Sequence, residues 1–119
     1  MKNKDSTRNA SSTQENRIAK KFNGKVSANS GAGRFDKSDV FLSDISLSIE
    51  CKTCMEEKKS FSIKKEWIEK HNKESFQTRS DNNVIAFNFY YQDKKDYYVI
   101  DDKLMKFLVE KLREEITKC

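Results

Sequence analysis

Apolar and polar residues alternate most clearly between residues 39 and 52. The apolar positions of this segment are Val40, Leu42, Ile45, Leu47, Ile49 and Cys51. A period of two is typical of strands that bury one face. We therefore predict two antiparallel strands, residues 39–42 and 46–52, joined by a two-residue turn at Asp44 and Ile45.

Helical spacing and shorter strand patterns lie on both sides of this hairpin. Apolar residues recur at intervals of three and four in three segments, which predicts helices. These helices are expected at about 13–22, at 62–76 and from Asp101 onward. Runs of β-branched and aromatic residues predict further strands near Val26, at 84–91 and at 97–100. This order predicts an α/β fold, a central mixed five-stranded sheet flanked by helices.

The two ends of the chain differ in pattern. Residues 1–11 show no apolar periodicity and predict a flexible basic arm before a single domain of residues 12–119. Ser12 and Glu15 have the spacing of a capping box, which would begin the first helix. The last helix carries an apolar stripe that we expect to cover the sheet, with a dimer contact as the alternative. That stripe consists of Leu104, Phe107, Leu108, Leu112 and Ile116.

Composition excludes several classes of protein. With 35% hydrophobic and 36% charged residues in 119, the chain has no apolar run near the ~20 residues that cross a bilayer. The Lys-rich start also lacks the apolar stretch of a signal peptide, so we expect a cytoplasmic protein. Cys51 and Cys54 form a C-x-x-C pair, but only His71 and Cys119 could complete a zinc site, which makes zinc or redox chemistry a minor alternative.

The formal net charge of +5 is concentrated near the N-terminus. Residues 1–25 contain seven basic and two acidic residues, so this segment alone carries +5 and the remainder is neutral. A basic end on a neutral body suits a polyanion that meets one edge of the molecule, because neutralised phosphates release counterions. The alternative is a lysine-rich tail that only increases solubility.

The register of the hairpin determines which polar groups meet. If Val40 pairs with Ile49 on the core side, Asp39 lies opposite Glu50, with Cβ atoms about 5 Å apart. Two carboxylates at that distance repel each other unless a cation lies between them. Lys52, two residues beyond Glu50, points to the same face. Oxygen ligands, Mg²⁺ and a nearby ammonium are what phosphodiester hydrolysis requires, although these residues are equally typical of a solvated hairpin face.

These residues resemble the catalytic core of the PD-(D/E)XK nuclease superfamily, and most closely the archaeal-type Holliday-junction resolvases. The similarity runs from about residue 13 to 100. Its motifs are the first-helix Glu15, the loop Ser30-Gly31-Ala32-Gly33, the segment Ser38-Asp39-Val40 and the triplet Glu50-Cys51-Lys52. Ser38 stands where the family name has proline, and residues 77–83 lack the basic, proline-marked segment of the resolvases.

The resemblance implies a restriction-endonuclease-like fold and a role for each motif residue. Asp39 and Glu50 would bind Mg²⁺, for which Mn²⁺ could substitute, with the Cys51 carbonyl as a further ligand. Lys52 would position or activate the attacking water. Glu15 would complete the metal shell directly or through water, unless it only closes the capping box. DNA contacts are expected from Arg8, Lys20, Lys21, Ser30, Gly31 and Arg34.

The function that the resemblance implies is a homodimeric, Mg²⁺-dependent endodeoxyribonuclease that cuts branched DNA, in particular four-way junctions, during recombination or repair. One alternative is another nuclease of the same fold, of the nicking or restriction type. A second alternative is a non-catalytic DNA-binding module on that fold. A protein-interaction domain with a solubilising tail would differ from all of these, because it would show no salt-dependent DNA binding.

Overall fold

The computed structural model of the chain describes residues 4–27, 39–78 and 81–118. Its helices and strands are α1 (Lys4–Phe22), β1 (Lys25–Val26), β2 (Val40–Leu42), β3 (Leu47–Lys52), α2 (Lys65–Thr78), β4 (Asn82–Phe87), β5 (Tyr97–Val99) and α3 (Asp102–Thr117). Single 3-10 turns lie at Ser43–Ile45 and Tyr91–Asp93. The predicted order of helices and strands is confirmed, and with it the α/β class.

The five strands form one mixed sheet in the order β1-β2-β3-β4-β5. Only β3 and β4 are parallel, and every other neighbouring pair is antiparallel. A parallel pair needs a long crossover, which α2 supplies here. The sheet therefore has the predicted mixed character.

The register of the β2–β3 hairpin is the predicted one. Leu42 pairs with Leu47, and Val40 pairs with Ile49. The connection differs from the predicted two-residue turn, because a 3-10 turn at Ser43–Ile45 is followed by Ser46 with a φ of 49°. The longer connection leaves the pairing of the strands unchanged.

Helix α1 begins at Lys4, so the predicted start at residue 13 is wrong and residues 4–11 are helical. Ser12 lies inside the helix, which excludes the capping box. One face of α1 is buried at spacings of four, four and one residues: Ala10, Gln14, Ile18 and Ala19. The helix ends before Gly24, where a Cβ would lie 2.9 Å from Cδ1 of Leu42, so glycine permits the close approach to β2.

Strand β4 ends at Phe87, earlier than the predicted end at residue 91. Asn88 is fully buried, and its Oδ1 accepts hydrogen bonds from Thr53 Oγ1 (2.9 Å) and from the Cys54 amide (3.2 Å). The side chain of Asn88 is thus bound to residues 53 and 54, which follow β3, and strand pairing of β4 ends one residue before it. Aromatic residues 89–91 consequently lie outside the strand.

The core lies between α1 and one face of the sheet. Its buried members are Ile18, Ala19, Val40, Leu42, Ile49, Val84 and Ala86. His71, predicted on a flank of α2, is buried and lines a small cavity with Asn83 and Ile85 on the opposite face. No helix in the described part of the chain is both long and apolar enough to cross a membrane.

Helix α3 has its predicted cap, because Asp101 Oδ1 accepts a hydrogen bond from the Leu104 amide (2.8 Å). Leu104 packs against the core, as expected. The prediction that the whole stripe covers the sheet is wrong, because its other four members are exposed by 47% to 65%. Those members are Phe107, Leu108, Leu112 and Ile116.

Candidate active site

The last residues of β3 direct their side chains to alternate faces of the sheet. Cys51 packs against the core beneath α1. Lys52 and Glu50 lie on the other face, where Lys52 Nζ is 3.6 Å from Glu50 Oε2. Both side chains are about one quarter exposed, with relative values of 28% and 26%. The structure thus brings these two predicted site residues together at a surface that solvent reaches.

Asp39 immediately precedes β2 and extends the hairpin by one position. Its Oδ2 accepts a hydrogen bond from the Cys51 amide (2.8 Å), and its carbonyl accepts one from the Ser27 amide (3.0 Å). Because Val40 pairs with Ile49, the next position along places Asp39 beside Glu50 and Cys51. This location agrees with the register predicted from the hydrophobic pattern.

Glu15 lies on α1, which packs on the core side of the sheet and contacts the end of β3 through Gln14. Burial, together with smaller contributions from the charges of Asp39 and Glu50, raises the pKa of Glu15 from its ordinary 4.5 to about 7. These contributions place Asp39 and Glu50 within electrostatic range of Glu15. Since the capping box is excluded, proximity to these two acids is the feature of Glu15 that remains.

The negative potential extends to the neighbouring thiol. Burial is the main cause that raises the pKa of Cys51, and four carboxylates add to it: Asp39, Glu15, Glu50 and Asp96. A thiol that resists ionisation is a poor nucleophile and a poor zinc ligand. The acids around it instead favour a hard cation, which would relieve their repulsion.

The donor set suits Mg²⁺ in part. Among residues 4–27, 39–78 and 81–118, no three His, Cys, Asp or Glu side chains are arranged to hold an ion by themselves. Mg²⁺ commonly keeps several waters and uses one or two carboxylates together with substrate oxygens. Asp39 and Glu50 supply the carboxylates of that smaller requirement. Ligation by the Cys51 carbonyl, and by Glu15 directly or through water, stays a prediction.

Lys52 has a second neighbour that the sequence analysis did not single out. Its Nζ lies 4.3 Å from the centroid of the Trp67 ring on α2, and the ring of Phe61 is 6.1 Å from that of Trp67 between centroids. A cation over an indole face is attracted to the ring quadrupole. Trp67 therefore restricts the positions that the Lys52 ammonium can occupy. In the sequence, the only feature that distinguished Trp67 was that it is the single tryptophan of the chain.

Three further residues were missed: Gln14, Arg17 and Asp96. Arg17 donates two hydrogen bonds to Asp96, from Nε (2.9 Å) and Nη2 (2.8 Å). Gln14 Nε2 donates to the Lys52 carbonyl (2.9 Å). The sequence feature that could have revealed them is the polar residue Gln14, which lies between Ala10 and Ile18 on the otherwise apolar stripe of α1.

The residues predicted to contact DNA fall into two groups. Arg8, Lys20 and Lys21 are exposed on α1, the helix that carries Glu15. Ser30, Gly31 and Arg34 lie outside the described residues. Contact of either group with DNA stays a prediction.

Comparison with protein-family models, with curated proteins and with solved structures returns no match. The resemblance to PD-(D/E)XK nucleases therefore rests on the motif residues of the sequence alone and stays a prediction.

Proposed function

We propose that this chain is a Mg²⁺-dependent endodeoxyribonuclease that cuts branched DNA, with the four-way junction as its substrate. The observation that carries the proposal is the hairpin register that places Asp39 beside Glu50, whose Oε2 lies 3.6 Å from Lys52 Nζ. The raised pKa of Glu15, to which Asp39 and Glu50 contribute, supports it. Acidic oxygens beside one lysine at an accessible strand end are suited to phosphodiester hydrolysis.

Each residue of the site has a separate task in this proposal. Asp39, Glu50 and the Cys51 carbonyl would hold Mg²⁺, which supplies Lewis acidity and a more acidic water when it is bound. Lys52 would orient the attacking water and offset the negative charge that develops on the phosphoryl oxygens. Glu15 would complete the ion's shell directly or through water.

The basic residues of α1 support DNA as the substrate. Arg8, Lys20 and Lys21 project from the helix that also carries Glu15. A strongly acidic site repels a polyanion unless cations surround it, and exposed basic side chains supply long-range attraction. Arg17 is excluded from this role because it is paired with Asp96.

A second copy of the chain is part of the proposal, since paired cuts in a junction need two sites related by a two-fold axis. The exposed apolar stripe of α3 supplies a surface for it, and an isologous contact would bury the same stripe on both copies. We expect the double variant Leu112→Lys and Ile116→Lys to sediment as a monomer where the wild type is a dimer. Glu110→Lys, on the polar side of α3, is the matched control and should remain dimeric. A wild type that is monomeric at all concentrations contradicts this part.

A non-catalytic DNA-binding module is the second candidate. The specific observation in its favour is that no three acidic, His or Cys side chains of the described residues are arranged to hold a metal. Against it stands the retained set of Glu15, Asp39, Glu50 and Lys52, since a binding module has no need for an acidic cluster facing its polyanionic ligand.

Cleavage of a labelled DNA panel tests the proposal. Four-way junction, nicked duplex, linear duplex and single-stranded DNA are incubated with the protein in Mg²⁺, Mn²⁺ or EDTA. We expect symmetric cuts in the junction that EDTA abolishes. Cutting of linear duplex indicates the nicking or restriction type of nuclease, whereas salt-dependent binding without cleavage in either metal indicates the binding module.

A further inference from the structure

The amide of Gln14 is buried where an apolar side chain would be expected. Gln14 is 1% exposed and lies on the core-facing stripe of α1. Its Oε1 is buried and has no hydrogen-bond partner within the described residues. Burying an unsatisfied acceptor costs free energy, so a methionine of similar length would suit the packing better. Packing alone therefore does not account for the amide.

The nitrogen of this amide, unlike its oxygen, has hydrogen-bond partners for both of its N–H groups. Gln14 Nε2 donates to the Lys52 carbonyl at 2.9 Å and to Asp96 Oδ1 at 3.3 Å. The Asp96 side chain is 0% exposed and is held by the two hydrogen bonds from Arg17. A bidentate pair of this kind fixes the carboxylate in one orientation. Asp96 is thus a rigid acceptor that orients the Gln14 amide toward β3.

The hydrogen bond from Gln14 is made to the last residue of β3, which is also a residue of the candidate active site. Lys52 is the last residue of the strand, and its side chain lies between Glu50 and Trp67 on the opposite face. Beyond it the chain leaves the sheet, so a backbone anchor there limits the position of the Lys52 side chain. Gln14 also adjoins Glu15, so one hydrogen bond links the helix carrying Glu15 to the strand carrying Glu50 and Lys52.

We propose that Gln14, oriented by the Arg17–Asp96 ion pair, is a positioning residue that fixes the end of β3 and α1 relative to each other. The proposal rests on the nuclease function proposed above, because Lys52, Glu50 and Glu15 are the groups it places. Displacement of reacting groups by about 1 Å costs on the order of 10²-fold in rate. The hydrogen bond is therefore expected to affect turnover more than binding of DNA.

Comparing Gln14→Met with Ile18→Val tests this inference. Methionine keeps the length of the side chain but removes both hydrogen bonds. Ile18 is fully buried on the next turn of α1 and takes no part in the network, so its truncation controls for a general loss of core packing. We expect Gln14→Met to lower kcat about 10- to 100-fold with little change in KM. Ile18→Val should keep the wild-type kcat.

Hydrogen exchange supplies a readout that does not depend on activity. The amides of Lys52 and Cys54 are expected to exchange about tenfold faster in Gln14→Met than in Ile18→Val, because the strand end is released locally. Equal exchange in both variants, or an unchanged kcat in Gln14→Met, overturns the inference. If the wild type cuts no DNA, the proposed nuclease function fails, and the exchange rates alone decide whether Gln14 anchors the strand.

Discussion

Glu50→Gln is expected to lower the single-turnover rate of Mg²⁺-dependent junction cleavage by about 10³-fold, equivalent to ~4 kcal/mol of transition-state stabilisation. The substitution keeps the shape of the side chain but removes one of the two anionic groups, Asp39 and Glu50, that we propose as ligands of Mg²⁺. It also removes the partner of Lys52 Nζ at 3.6 Å. The rate is measured with enzyme in excess over labelled junction, so that release of product does not limit it.

Two further variants test whether the loss of rate comes from the metal site: Lys52→Met changes a neighbouring site residue, and Glu110→Gln is the control. Lys52→Met should lower the rate by about 10²- to 10⁴-fold, in the range that one positioned catalytic group contributes. Calorimetric Mg²⁺ titration should show weaker binding for Glu50→Gln but not for Lys52→Met, because only Glu50 is assigned to the ion. Glu110 is exposed on α3, so its glutamine variant should keep the wild-type rate. A Glu50→Gln protein with undiminished cleavage contradicts the assignment of the site.

The hairpin was predictable because two requirements act on the same few residues. Val40 and Leu42 must share the core face with Leu47 and Ile49, and a shift by one residue would expose all of them. This restriction sets the register, and the register in turn places Asp39 next to Glu50. The side chain of Lys52 then follows from the two-residue period. Asp39, Glu50 and Lys52 lie on one hairpin of adjacent strands, and for that reason their relative positions could be predicted from the alternation of apolar residues.

The first helix was predicted too short for the opposite reason. Residues 4–11 contain one buried apolar side chain, Ala10, which is too little for an apolar period to appear. Nothing in this segment breaks a helix, since glycine and proline are absent from residues 4–22. Absence of periodicity was therefore a poor criterion for the start of α1, and it led to the wrong capping box at Ser12.

The Gln14–Asp96 contact was beyond any local pattern. The two residues are 82 positions apart, and their meeting depends on how α1 crosses the sheet to reach the segment before β5. The same holds for Trp67 above Lys52, which depends on how α2 packs on the sheet. Side chains that adjust a site from another element become visible only when the fold is known.

Glu15→Gln is expected to stabilise the metal-free protein at pH 8 and to leave it unchanged at pH 4. The pKa of Glu15 is about 7 in the folded chain against 4.5 in the unfolded one. Between these values the folded state holds the proton that the unfolded state has released, so the free energy of unfolding of the wild type falls as pH rises through this window. Above pH 7 the full loss has occurred, and below pH 4.5 both states are protonated. The shift corresponds to at most ~3 kcal/mol, and partial contact with solvent reduces the expected gain to about 2 kcal/mol.

Urea unfolding in EDTA at pH 4, 6 and 8 measures this gain, with Glu110→Gln as the exposed control that should follow the wild type at every pH. A gain that is equal at pH 4 and pH 8 contradicts the electrostatic origin, since a packing effect does not depend on pH. Saturating Mg²⁺ should then reduce the advantage of Glu15→Gln, because a ligand stabilises the protein that binds it more tightly. The ionised Glu15 carboxylate thus lowers the stability of the metal-free protein but would raise the stability of the Mg²⁺-bound protein. A bound cation would in this way offset the free energy that repulsion among Glu15, Asp39 and Glu50 costs.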